Sequence, residues 1–134
     1  MDIQFTSKSQ EALGAAVRSA ATRGNPQVEP IHLLNAIVLL EPGIASALLE
    51  TVGADFDGLR RDTASAVEAL PTAQGNSVAQ PTLNQTALKV LNAAQSLAKE
   101  RGDEYVSTEH LLIGLAQEGG EPVTRMLEIG RAHV

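Results

Sequence analysis

The chain has 134 residues, a formal net charge of −6, three aromatic residues (Phe5, Phe56 and Tyr105), no tryptophan and no cysteine. That is the length of one domain. The acidic balance, without Lys/Arg clusters or aromatic platforms, excludes ordinary nucleic-acid binding, and the lack of cysteine excludes a disulfide framework and thiolate chemistry.

In chain order, "MDIQFTSKSQ" has no charged start followed by an apolar run, so it does not read as a signal peptide. Thr6 or Ser7 caps a first helix with Leu13, Ala16, Val17 and Ala20 at helical spacing. Gly24-Asn25-Pro26 stops it, with Arg23 in the last turn. A second helix begins near Pro30, where proline sacrifices no hydrogen bond, and carries Leu33, Leu34, Ile37 and Val38. Glu41-Pro42-Gly43 breaks the chain. A short helix with Ala45, Leu48 and Leu49 follows, ending at Gly53, and Asp55 opens another with Leu59, Ala66, Val67 and Leu70. Residues 71–82 are polar and rich in Gly, Ser, Gln and Asn, and read as a connection. Thr82 or Asn84 then caps a helix with Leu88, Leu91, Ala94, Leu97 and Ala98, ended by Arg101-Gly102. Ser107 or Thr108 opens "EHLLIGLAQ", and Gly119-Gly120 breaks it. No stretch alternates as a sustained strand would, and no apolar run approaches the ~20 residues of a membrane-spanning helix. The predicted class is all-α, with a core of Leu, Ala, Val and Ile.

This plan occurs twice. At a constant offset of 78, Leu13 falls on Leu91, Ala16 on Ala94, Ala20 on Ala98, Gly24 on Gly102, Val28 on Val106 and His32 on His110. Leu33-Leu34 falls on Leu111-Leu112, and Leu49-Glu50 on Leu127-Glu128. A repeat of this length is a supersecondary unit. The halves, about 5–53 and about 83–128, are expected to pack as pseudo-repeated units of one body, with Leu13, Leu34, Leu91 and Leu112 in a shared core.

Catalytic signals are weak. There is no Gly-x-Ser-x-Gly elbow, no Gly-Lys-Ser/Thr phosphate loop and no Ser-His-acid grouping. His32 and His110 recur inside the same "HLL" string, which suits rings packed at helix starts and bonded to nearby backbone; a metal site needs convergence, not recurrence. No catalytic, cofactor or metal residue is assigned. Asp103 and Glu104 follow a helix end, and Glu109 sits in a first helical turn, where the dipole favours a carboxylate.

"FTSKSQEAL", "GNPQVEPIHLLNAI", "LLETVGAD", "ALPTAQG" and "GDEYVSTEHLLIGLA" together resemble the N-terminal domain of ClpB-type disaggregases, in the Clp/Hsp100 group of AAA+ chaperones. The resemblance runs from about Phe5 to Glu128, and the domain is expected to span residues 1–128. It implies a small helical, non-enzymatic domain that contacts unfolded or aggregated protein for threading by ATPase modules not contained in this chain. ATP and magnesium would belong to those modules, and no cofactor to this region. The resemblance further implies a cytoplasmic, stress-responsive homohexamer working with the Hsp70 system, without nucleic-acid or membrane partners. Thr6, Asp103 and Glu109 match substrate-handling positions of that family. Its apolar groove maps to Leu97, Ala93 and His110; the last two stand where leucine is usual, so a shallower groove is expected. An alternative is the adaptor- or phosphoarginine-binding domain of a ClpC- or ClpA-like protease ATPase. There both repeats usually carry "TEH", whereas here Ile31 replaces the first glutamate. Residues 129–134, "IGRAHV", depart from the family, read like one frame of a sequencing-library adapter, and are expected to be foreign to the natural protein.

Overall fold

A computed structural model describes residues 4–40, 47, 56–72 and 81–132. The expected break at Glu41-Pro42-Gly43, the short helix around Leu48, and positions 73–80 of the connection lie outside the described residues.

The described chain is helical, as the sequence indicates: α1 (Ser7–Arg23), α2 (Pro30–Leu40), α3 (Phe56–Glu68), α4 (Gln85–Glu100), α5 (Thr108–Glu118) and α6 (Val123–Ala132). Of the two candidate caps for α1, Thr6 is used; its Oγ1 accepts the Ser9 N–H at 3.1 Å. Asn84 caps α4 by accepting the Ala87 N–H at 2.8 Å. Gly24 and Gly102 follow α1 and α4 with φ 74° in both, the left-handed geometry that glycine adopts without a Cβ penalty. The following residue returns its amide to the helix, Asn25 to the Ala20 carbonyl at 2.8 Å and Asp103 to the Ala98 carbonyl at 2.9 Å.

Four two-residue strands join the helices: β1 (Gln4–Phe5), β2 (Gln27–Val28), β3 (Thr82–Leu83) and β4 (Tyr105–Val106). Two residues are too few to show a period, so the sequence gives no sign of them. Their pairing is reciprocal and parallel. β1 pairs with β4, placing Phe5 opposite Val106, and β2 pairs with β3, placing Val28 opposite Leu83. Each half therefore donates its leading strand to the other half's turn. The repeat offset of 78 carries β1 onto β3, β2 onto β4 and α2 onto α5 residue for residue.

α2 is the centre of the body. All its residues from Pro30 to Val38 except Asn35 are buried, the pattern of a helix covered on every side. It packs on α1 and α3 in its own half and on α4, α5 and α6 in the other. Leu34 and Leu112 are buried in the core, as expected. Leu13 and Leu91 are only half-buried and pack on its margin. The inner stripe of α1 is Ala12, Ala16 and Ala20, and that of α4 is Val90, Ala94 and Ala98. Leu13 and Leu91 each lie one residue further round, about 100° off that line. Small residues at this seam let the paired helices approach closely. A Cβ at Gly114 of α5 would stand 2.8 Å from the Val90 carbonyl oxygen and 3.4 Å from the Ala94 nitrogen.

Two substitutions test this packing. Leu34→Ala is expected to cost roughly 2–5 kcal/mol by opening a cavity in the shared core. Gly114→Ala is expected to destabilise by about 1 kcal/mol or more, because displacing the Val90 backbone outweighs the better helix propensity of alanine. Chemical denaturation followed by circular dichroism measures both; a Gly114→Ala variant more stable than the parent would show that the helices do not touch there.

Candidate functional site

The two turns after α1 and α4 are built on one plan. A histidine at the third position of the next helix accepts the amide of the residue before the helix. His32 Nδ1 takes the Glu29 N–H at 2.9 Å, and His110 Nδ1 takes the Ser107 N–H at 2.9 Å. In a capping box this reciprocal place is usually filled by Glu or Gln. The other ring nitrogen reaches back seven residues into the turn, His32 Nε2 to Asn25 Oδ1 at 2.9 Å and His110 Nε2 to Asp103 Oδ2 at 2.8 Å.

The two copies differ in what covers them. In the first half Asn25 is 2% exposed, His32 1% and Ile31 1%. The Asn25 amide donates to the Pro71 carbonyl at 2.9 Å, so the segment after α3 closes over this turn. Burial pushes the His32 imidazole below its ordinary value of 6.5, and the Arg23 charge acts in the same direction. In the second half the equivalent turn lines an open cleft of about 640 Å³. Asp103, Glu104 and Glu109 contribute carboxylates, Arg101 a cation, and Tyr105 a half-exposed ring. Thr6 closes one side because β1 is paired with β4.

Thr6, Asp103, Glu109 and His110 thus come together from α1, the turn and α5. Leu97 and Ala93 do not line this cleft; both are half-buried on α4. The Thr6 hydroxyl is committed inward. It donates to Ser9 Oγ at 3.0 Å, and Ser9 Oγ donates to the Val106 carbonyl at 2.8 Å. Thr6 therefore presents only an acceptor to the cleft. Asp103, although half-exposed, is the partner of the buried His110. Replacing it with alanine would leave a buried N–H unpaired, at a cost of about 1–3 kcal/mol.

Arg101, Glu104, Tyr105 and Ser107 also line the cleft and were not singled out in the sequence as binding residues. A signal was present in the comparison of the repeats. On matched scaffold positions Pro26 becomes Glu104, Gln27 becomes Tyr105 and Ile31 becomes Glu109. Among the described residues no group of His, Asp and Glu could hold a metal ion, and no helix is long and apolar enough to cross a membrane.

Residues 4–129 match the Clp repeat (R) N-terminal domain family. Chaperone protein ClpB of Mycobacterium leprae is 46% identical over 122 residues, covering 91% of this chain and 14% of that protein. Chaperone protein ClpB of Corynebacterium diphtheriae is 50% identical over 112 residues, covering 84% and 13%. The chain thus spans about one-seventh of the length of these curated relatives. Among solved structures, the Hsp104 N-terminal domain from Candida albicans superposes with a TM-score of 0.81 at 19% identity, covering 95% of this chain and 81% of that one. The N-domain of ClpV from Vibrio cholerae superposes with a TM-score of 0.77 at 18% identity, covering 97% and 80%. At such identities these two likenesses speak for the fold alone.

The lowered His32 value fixes a pH dependence. The unfolded chain takes up the proton near 6.5 and the folded chain only below that, so the contribution of His32 to stability is complete above the unfolded value and is lost as pH falls through the folded one. Thermal melting of the parent is expected to drop as pH falls below about 6.5, with a smaller drop in His32→Gln. Parallel curves for the two proteins would contradict the assignment.

Proposed function

The chain belongs to the Clp repeat (R) N-terminal domain family, and on that basis we propose that it is the substrate-binding N-terminal domain of an ATP-dependent, ClpB-type protein disaggregase. It holds unfolded or aggregated polypeptide while ATPase modules outside this chain thread it. ATP and magnesium serve those modules; the domain itself hydrolyses nothing. The whole protein works as a homohexamer with the Hsp70 system, in the cytoplasm, under stress.

The observation that carries this reading is the asymmetry of the two turns. One scaffold is built twice, closed by the chain itself in the first half and left as an open acidic cleft in the second. Thr6, Asp103 and Glu109 form the contact surface. Leu97 and Ala93 lie half-buried on α4 and outside the cleft, so the contact surface is polar, little apolar area is buried and single contacts are weak. Ile31 tells against the phosphoarginine-reading alternative. It occupies the first-half counterpart of Glu109 and is 1% exposed, so a matched pair of glutamates is not available.

The test is binding of fluorescein-labelled ribonuclease A, reduced and blocked with iodoacetamide so that it stays unfolded. Asp103→Asn with Glu109→Gln removes two charges but keeps a side-chain oxygen for His110. The double variant is expected to bind several-fold more weakly, with stability within about 0.5 kcal/mol of the parent, as is usual for surface changes. Parent-like binding would place the client contact elsewhere.

A further inference from the structure

The cleft carboxylate Asp103 is held at two points. Its amide donates to the Ala98 carbonyl at 2.9 Å, which fixes the backbone after the left-handed Gly102. Its side chain is 47% exposed, yet Oδ2 lies 2.8 Å from Nε2 of His110, whose own side chain is 7% exposed. The ring is held in this orientation at its other nitrogen. Nδ1 is occupied by the Ser107 N–H at 2.9 Å, with Ser107 Oγ at 3.1 Å, which leaves Nε2 as the donor. One buried ring thus ties the start of α5 to the rim of the cleft, and it carries Glu109 as its immediate chain neighbour.

The first half shows what the same clamp does when it is turned inward. His32 orients Asn25, and Asn25 fixes a main-chain carbonyl, that of Pro71, at 2.9 Å. There the clamped side chain is the group that meets polypeptide backbone. In the second half asparagine is replaced by aspartate, an acceptor without a donor, and the clamped group faces the cleft.

We infer that His110 is the positioning residue of the cleft. Through its Nε2–H it sets the orientation in which Asp103 accepts a hydrogen bond from a polypeptide, while Nδ1 keeps the first turn of α5, and with it Glu109, in register. The inference rests on the reading of this cleft as the client site. His110 acts through Asp103 and does not itself touch the client.

Two measurements on the full chain test it, with the same blocked, unfolded ribonuclease A as probe. His110→Asn keeps a carboxamide oxygen for the Ser107 N–H, does not alter the carboxylates, and is too short to reach Asp103. It is expected to stay folded and to bind the probe roughly three- to tenfold more weakly, the effect of one lost positioning hydrogen bond. In the parent, nitrogen-15 spectra of the imidazoles are expected to show His110 Nε2 shifting with the same dissociation constant as the Asp103 amide, while His32 Nε2 stays still. If the Asp103 and Glu109 amides respond but His110 Nε2 does not, or if folded His110→Asn binds like the parent, the positioning role is overturned and the client site stands. If no cleft amide responds, the client site and this inference fall together. Should His110→Asn fail to fold, the imidazole titration of the parent decides alone.

Discussion

The Thr6 amide donates to the Val106 carbonyl at 3.0 Å, and the Asn84 amide to the Val28 carbonyl at 3.1 Å. Thr6 and Asn84 are the N-caps of α1 and α4, so each half begins its first helix from a strand anchored in the other half. This reciprocal exchange is the constraint on which the rest depends. Neither half can form its strand pair alone, and neither can cover α2 alone. Buried main-chain groups need partners, and at these two caps the partner comes from the opposite repeat.

The exchange also dictates where a site can form. β1 pairs with β4, so Thr6 is carried to the turn after α4, and the cleft is made of both halves although most of its residues come from the second. The hydroxyl relay from Thr6 through Ser9 to the Val106 carbonyl makes the cleft wall part of the same junction. Ser9 is fully buried and satisfied, and among the described residues no buried side-chain nitrogen or oxygen lacks a partner. The exposed charges of the cleft therefore stand on a body whose buried polar side chains are satisfied among the described residues.

Duplication supplied two equivalent turns, and they differ in what covers them. In the first half Asn25, Pro26 and Ile31 stand where the second has Asp103, Glu104 and Glu109. Asn25 is buried and bonded to the Pro71 carbonyl, whereas Asp103 and the two glutamates line the cleft. The histidine is common to both because its first task is structural: it completes the helix cap where glutamate or glutamine would otherwise serve. The same ring then has a second nitrogen to spend, and its target decides whether the turn is sealed or presented.

Much of this protein was determined by local chemistry along the chain. The caps at Thr6 and Asn84, the glycine stops at Gly24 and Gly102, the proline start at Pro30 and the offset of 78 fix the helices and their duplication, because each acts within a few residues of itself. The sequence also set Asp103, Glu109 and His110 near one another, since they share a turn and the helix that follows. Only the tertiary structure decided the rest. It exchanged the two-residue strands between halves, brought Thr6 to a turn some hundred positions away, seated alanine rather than Leu13 and Leu91 at the helix seam, and paired Asp103 with a buried ring. Each of these depends on which surfaces meet, and contacts between distant segments leave no periodic trace in the sequence that makes them.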